Sequence, residues 1–177
     1  MINVTLKGGV VKEFENGTSV MDIAKSLGAG LFKAACLAKV NGEICDLRTK
    51  LDSDCEVEIL TFDDEEGKKT FRHTASHILA QAVKRLYPQA KLAIGPAIDN
   101  GFYYDFDCDV SFTPEVLEKI EAEMKKIVKE GLALERYELS PADAIAMMEE
   151  RGEIYKVELI KEHAESGEPI SFYRQGE

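Results

Sequence analysis

Apolar and polar positions change their period several times along the chain. Ile2, Val4 and Leu6 alternate with polar residues, Gly8-Gly9 turns the chain, and Val10 to Phe14 returns, so the pattern predicts a strand pair. Ser19, with Asp22 three residues on, predicts the start of a short helix whose inner stripe is Val20, Ile23, Ala24 and Leu27 and whose stop is Gly28. Ala35 to Val40 reads as a strand, Asn41-Gly42 as a hairpin turn, Glu43 to Cys45 as the return, and Cys55, Val57 and Ile59 as a last strand.

Strand, strand, helix and further strands within residues 1–62 predict an α+β unit of the ubiquitin-like β-grasp type. It contains no His, no Gly-rich phosphate loop and no recognisable carboxylate pair, so a binding or docking role is expected of it. Asp63 to Lys69 is polar and charged, and is either a linker or the first turns of the next helix, with Asp63 as cap. A domain boundary is expected near residues 62–66, which gives units 1–62 and 63–177.

From Phe71 the period becomes helical. Phe71, Ala75, Ile78, Leu79, Ala82, Val83 and Leu86 form one stripe, and Pro88 ends the helix. His73 and His77 are one turn apart and share a face opposite that stripe, continued by Ala80 and Lys84. They are either surface histidines or a pair that binds a metal, orients a substrate or activates water. Thr74 follows His73, so this is not the His-Glu-x-x-His of zinc proteases.

Lys91 to Ile98 predicts a strand, Asn100-Gly101 a turn, and Phe102 to Asp107 the return, with Phe102, Tyr104 and Phe106 on one face. Gly95-Pro96 inside the first strand marks an edge or a bulge, either of which leaves backbone open to a ligand or guards against aggregation. Thr113-Pro114-Glu115 opens a helix that stops at Gly131, and Ala133 to Leu139 reads as a strand. Ser140-Pro141 opens another helix, to about Arg151-Gly152. Ile154 to Ile160 is read as a strand carrying Lys156, Lys161 to Gly167 as a loop with His163, and Ile170 to Tyr173 as a short strand.

Charge changes the picture in one place. The net charge of −11 argues against wrapping nucleic acid with the whole surface. Between Gly67 and Ile98, however, there is no Asp or Glu, while Lys68, Lys69, Arg72, Lys84, Arg85 and Lys91 are all basic. The segment is either a chance cluster on a solvated helix or the receiving surface for a small anion or one end of a nucleic acid. The four cysteines, Cys36, Cys45, Cys55 and Cys108, form no Cys-x-x-Cys pair and read as free thiols in a reducing compartment, with no metal expected. No apolar run of about eighteen residues and no signal-peptide pattern is present, so no membrane association and a cytoplasmic location are expected.

Three stretches together resemble the N-terminal region of bacterial threonyl-tRNA synthetases: His73-x-x-x-His77; Ala93-Ile94-Gly95-Pro96-Ala97-Ile98-Asp99-Asn100-Gly101-Phe102-Tyr103-Tyr104-Asp105; and Arg151-Gly152-Glu153-x-Tyr155-Lys156-Val157. The first sixty or so residues, above all Val40-Asn41-Gly42-Glu43, resemble the TGS domain of that family, and the remainder its editing domain. Alanyl-tRNA editing domains share the His-x-x-x-His but lack a leading TGS domain.

The resemblance implies an α+β editing domain with an antiparallel sheet and a long His-x-x-x-His helix, which hydrolyses serine mistakenly joined to the threonine tRNA. It further implies that His73 positions or deprotonates water, that His77 holds the substrate, and that Lys156 supplies positive charge near the ester. Gly95, Pro96 and Tyr104 would line the pocket. Lys68, Lys69, Arg72, Lys84, Arg85 and Lys91 would receive the tRNA 3′ end. In the family a Cys-x-x-x-His segment completes the site; the last Cys here is Cys108 and the last His is His163. The chain is therefore expected to be a fragment with no cofactor of its own. ATP and zinc would belong to an absent aminoacylation domain, and homodimer contacts to other absent regions. A stand-alone trans-editing hydrolase and a non-catalytic RNA-binding or regulatory module are the competing readings; the lack of a Gly-x-x-x-x-Gly-Lys-Ser/Thr loop excludes a GTPase.

Overall fold

In β1 (Ile2–Leu6), Ile2, Val4 and Leu6 are buried and Asn3 is exposed, the alternation of a strand with one face on a core. The computed structural model describes residues 1–164 and 170–175, and the chain divides into two units, Met1–Thr74 and Ala75–Glu177. After β1 come β2 (Val11–Phe14), β3 (Thr18–Ser19), α1 (Val20–Leu27), α2 (Ala29–Ala34), β4 (Ala35–Val40), β5 (Glu43–Cys45), β6 (Lys50–Leu51) and β7 (Cys55–Thr61). The sheet order is β2-β1-β7-β4-β5, with β1 parallel to β7 and the other neighbours antiparallel; β3 pairs separately with β6. Val20 and Ile23 of α1 pack with Ile2, Val4, Leu6, Ala38, Leu51, Cys55 and Val57 to make the core.

The cap of α1 is the expected one. Ser19 Oγ accepts from the Asp22 N–H at 3.1 Å and donates to Asp22 Oδ2 at 2.6 Å. The pattern did not anticipate α2: it is one and a half turns with no buried residue, too short for an apolar period.

The polar stretch after β7 is helix rather than linker. The Asp64 N–H donates to Thr61 O at 3.1 Å, and Asp64 Oδ2 accepts from the Thr61 N–H at 2.8 Å, closing a tight turn. There α3 (Glu65–Leu86) begins. Its first turns belong to the first unit: Lys39 pairs with Glu66 at 3.3 Å, and Phe62 meets Phe71 edge to face at 5.2 Å. The two compact units thus meet at Thr74/Ala75, inside α3.

The second unit contains the end of α3, then β8 (Lys91–Leu92), β9 (Ala97–Ile98), β10 (Gly101–Phe102), β11 (Phe106–Asp107), α4 (Pro114–Glu130), β12 (Leu134–Leu139), α5 (Pro141–Glu150), α6 (Ile154–His163) and β13 (Ile170–Gln175). Ala82 and Val83 pack with Ala90 and with Ile120 and Ile127 of α4. Thr113 and Ser140 cap α4 and α5, each with Pro in the first turn, and α4 ends at Gly131 in the left-handed conformation. A second core joins Ala144 and Met148 of α5 to Val157 and Ile160 of α6, with Leu139, Ile170 and Phe172 of the antiparallel β12–β13 pair against it.

Four expectations change. The inner face of α3 is rotated: Phe71 is 54% exposed, whereas Ser76 (1%) and Ala80 are buried, so the face that begins at the histidines does not stay turned away from the core. The strand expected over Ile154–Ile160 is the helix α6, because Val157 and Ile160 point together at i, i+3 onto α5. His163 lies in its last turn rather than in a loop, and residues 165–169 lie outside the described residues. The hairpin loop is Asp99-Asn100, with Gly101 already paired to Ile98.

Candidate active site

Gly95-Pro96 is a bulge. Leu92 faces Phe106, and Ala93 donates to Asp105 O at 3.0 Å, but beyond it Ala97 faces Phe102 and Ile98 faces Gly101. Three residues, Ile94 to Pro96, therefore oppose two, Tyr103 and Tyr104. The bulge brings Gly95 flat against the Tyr104 ring, and a Cβ there would lie 2.1 Å from Tyr104 Cδ2. Tyr104 stacks on Phe106 at 4.8 Å, with the Lys156 ammonium over its ring, 5.5 Å from the centroid. Gly95, Pro96, Tyr104 and Lys156 are all half-buried, and the structure brings Gly95, Tyr104 and Lys156 together.

Behind them stands a carboxylate that sequence reasoning did not single out. Glu153 is 6% exposed. Its Oε1 is 2.8 Å from Lys84 Nζ, and its Oε2 accepts from the Leu92 N–H at 2.9 Å. Its backbone O accepts from the Lys156 N–H at 3.0 Å, in the first turn of α6. Burial pulls the Lys156 ammonium below the usual lysine range, and the Glu153 charge opposes that. Burial, with the same carboxylate adding to it, pushes the Tyr104 phenol up to about 12. Nothing in the sequence marks Glu153 except its place inside the Arg151-to-Val157 stretch.

His73 and His77 are both exposed on α3. In the second unit, the His77 ring lies 6.4 Å from that of Tyr173 on β13. One turn on, Gln81 Nε2 donates to Gln175 O at 3.4 Å, while Gln81 Oε1 is buried with no hydrogen-bond partner among the described residues. Lys84 is two turns from His77 on nearly the same face, about 10 Å along the axis, and its ammonium donates to Pro88 O at 3.0 Å and Ala90 O at 2.9 Å as well as meeting Glu153. Within the second unit, the α3 face that carries His77 thus reaches the Glu153 carboxylate through Lys84.

The basic residues separate into two kinds. Arg85 holds Glu130 through both terminal nitrogens, at 2.9 and 2.8 Å, and Glu123 at 3.1 Å. Those carboxylates hold its guanidinium well above the usual range. Lys84 and Arg85 are therefore engaged within the second unit. Arg72 lies over the Phe62 ring at 5.9 Å. Lys68, Lys69 and Lys91 have no side-chain ion pair among the described residues. Among the described residues no three His, Cys, Asp or Glu side chains are placed to hold a metal ion, and no helix is long and apolar enough to cross a membrane.

Residues 2–61 match the family model of the TGS domain. Over all 177 residues the chain is 64% identical to the threonine–tRNA ligases of Clostridium tetani and Clostridium acetobutylicum, and 61% identical to that of Clostridium botulinum. The chain spans 28% of the length of each of these curated relatives, their N-terminal part.

Proposed function

We propose that this chain belongs to a threonine–tRNA ligase, with residues 1–62 as its TGS domain and residues 63–177 in an editing domain that hydrolyses serine from the threonine tRNA. The observation that carries the reading is the Lys84–Glu153 contact, 2.8 Å, which joins the part of α3 that bears His77 to the start of the helix bearing Lys156. The identity to the Clostridium ligases supports it.

The need for such a site is physical. A pocket that accepts threonine discriminates against serine by one methyl, about 1–3 kcal/mol, so a second, hydrolytic site restores fidelity. The water oxygen attacks the ester carbonyl carbon while His73 takes its proton. The Lys156 ammonium stands where negative charge develops on the carbonyl oxygen. The carbonyl then reforms, the bond to the ribose oxygen breaks, and that oxygen takes the proton from His73. Serine and uncharged tRNA leave. His77 holds the substrate, and Gly95, Pro96 and Tyr104 form the wall. Lys68, Lys69, Arg72 and Lys91 meet the terminal phosphates, with Lys84 and Arg85 supporting the scaffold as much as the RNA. Joining threonine to tRNA with ATP, the class II active site with its zinc, the homodimer contacts and a cytoplasmic location are assigned to the whole ligase.

The test is deacylation of serine-charged threonine tRNA by a longer ligase that continues this chain, with and without His73→Ala. Loss of about a hundredfold is expected, the scale on which misplaced reacting groups cost rate. Undiminished turnover would sink the editing assignment and put the RNA-binding module reading, which the TGS match favours, in front.

A further inference from the structure

We propose that Glu153 is the positioning residue of this site, a single buried carboxylate that fixes the Lys156 ammonium over Tyr104 by tying three elements together. Oε1 holds the end of α3 through Lys84, Oε2 holds β8 through the Leu92 N–H, and the residue itself opens α6 three positions before Lys156. Both oxygens are used, which is how a carboxylate remains ionised when buried. Leu92 is three residues before Gly95, so the strand that Glu153 holds is the one that places Gly95 against Tyr104.

Glu153 is the carboxylate that acts on Lys156, and the Tyr104 phenol ring lies beneath the Lys156 ammonium. Lys84 pairs with the Glu153 carboxylate at 2.8 Å and competes for its charge. Removing Glu153 leaves the Lys84 and Lys156 ammonium groups without their shared counter-charge. Removing the Lys84 charge leaves that carboxylate to Lys156 alone. The inference rests on the editing reading only for its consequence in hydrolysis; the arrangement itself is a property of this chain.

The test uses this chain with 13C-labelled lysine and follows the Lys156 ε-methylene against pH by NMR. In Glu153→Gln the Lys156 titration midpoint falls by about half a unit or more, on the order expected for loss of a nearby charge; in Lys84→Met it rises. A purely structural Glu153 would move stability in both variants and the midpoint in neither, and that result overturns the proposal. Should Glu153→Gln fail to fold, Lys84→Met decides by its own sign, a rise in the Lys156 midpoint. The unmodified chain gives a third check: cross-peaks between the Lys156 ε-methylene and the Tyr104 ring, with slow exchange of the Leu92 amide, are expected, and absence of both overturns the proposal without any variant. None of these readouts uses tRNA. A Lys156→Ala ligase that still deacylates serine-charged tRNA would therefore defeat the editing reading while leaving this one standing.

Discussion

A side chain of any size on Gly95 would occupy the space of the Tyr104 ring: a Cβ there lies 2.1 Å from Cδ2 and 2.4 Å from Cε2. This close approach makes one unit of the bulge, the aromatic stack on Phe106 and the ammonium over the ring. Gly95→Ala must push the ring or open the bulge. A loss of about 1–3 kcal/mol, the usual cost of overpacking, is expected in urea unfolding of this chain. Cross-peaks between Lys156 and the Tyr104 ring should vanish as well. Wild-type stability with those cross-peaks intact would show that the bulge absorbs a methyl group freely.

Arg85 separates scaffold from RNA binding. Its guanidinium is held by Glu123 and Glu130 of α4, so Arg85→Ala takes the guanidinium from two carboxylates, one of them mostly buried and left with Lys126 at 3.7 Å. A modest loss, on the order of 1 kcal/mol or less, is expected, because Arg85 is exposed and water screens its ion pairs. The salt dependence of tRNA binding by the longer ligase should barely change. Lys69→Gln and Lys91→Gln should do the reverse. They should leave stability near wild type and lower the slope of log affinity against log salt by about 0.7–0.9 for each phosphate no longer neutralised. If Arg85→Ala lowers that slope as much as the lysine variants do, the assignment of Arg85 to the scaffold fails.

The first unit offers a test of sign. Gly→Ala inside a helix ordinarily stabilises by up to about 1 kcal/mol. At Gly30 in α2 a Cβ meets nothing within 4 Å, and Gly30→Ala should follow that rule. At Gly67 in α3 a Cβ would lie 1.7 Å from Thr61 O, a backbone atom fixed by the turn to Asp64. Gly67→Ala should therefore destabilise by about 1–3 kcal/mol. Unfolding midpoints of the two variants should move in opposite directions, and a shared direction would refute the close approach at Gly67.

What the sequence made legible follows from how local each signal is. The alternation of Ile2, Val4 and Leu6, the caps at Ser19, Thr113 and Ser140, and the bulge at Gly95-Pro96 are each decided within a few residues, and each is found where the pattern puts it. The stretch from Ile154 to Ile160 satisfies both a strand and a helix period, and only packing of Val157 and Ile160 against α5 decides between them. Glu153 and the inward turn of Lys84 depend on partners distant in sequence, so no local pattern could show them. Gly95, Tyr104 and Lys156, singled out through the family resemblance, lie together, and nothing local marked the carboxylate behind them.

Alkaline pH should expose the burial of Tyr104. A tyrosine ordinarily titrates near 10, and burial, with Glu153 adding to it, pushes Tyr104 up to about 12. The folded chain thus favours the protonated phenol, and this contribution to stability is complete below about pH 10 and is lost as pH rises to about 12. Lys156 acts with the opposite sign: its folded value is lowered, so its contribution is present above the ordinary lysine range near 10.5 and is lost as pH falls from there. Tyr155, which donates to Asp107 at 2.9 Å, is also raised and adds to the alkaline loss. Absolute stability at alkaline pH therefore mixes several groups, and the difference between the wild-type chain and Tyr104→Phe isolates one of them. Urea midpoints taken at steps from about pH 9 to about pH 12 should fall more steeply for wild type than for Tyr104→Phe. Absorbance at the tyrosinate band should show one phenol fewer ionising late. Parallel stability curves for the two chains would mean that Tyr104 ionises as freely folded as unfolded, and that the ring is not shielded by Gly95, Phe106 and Lys156.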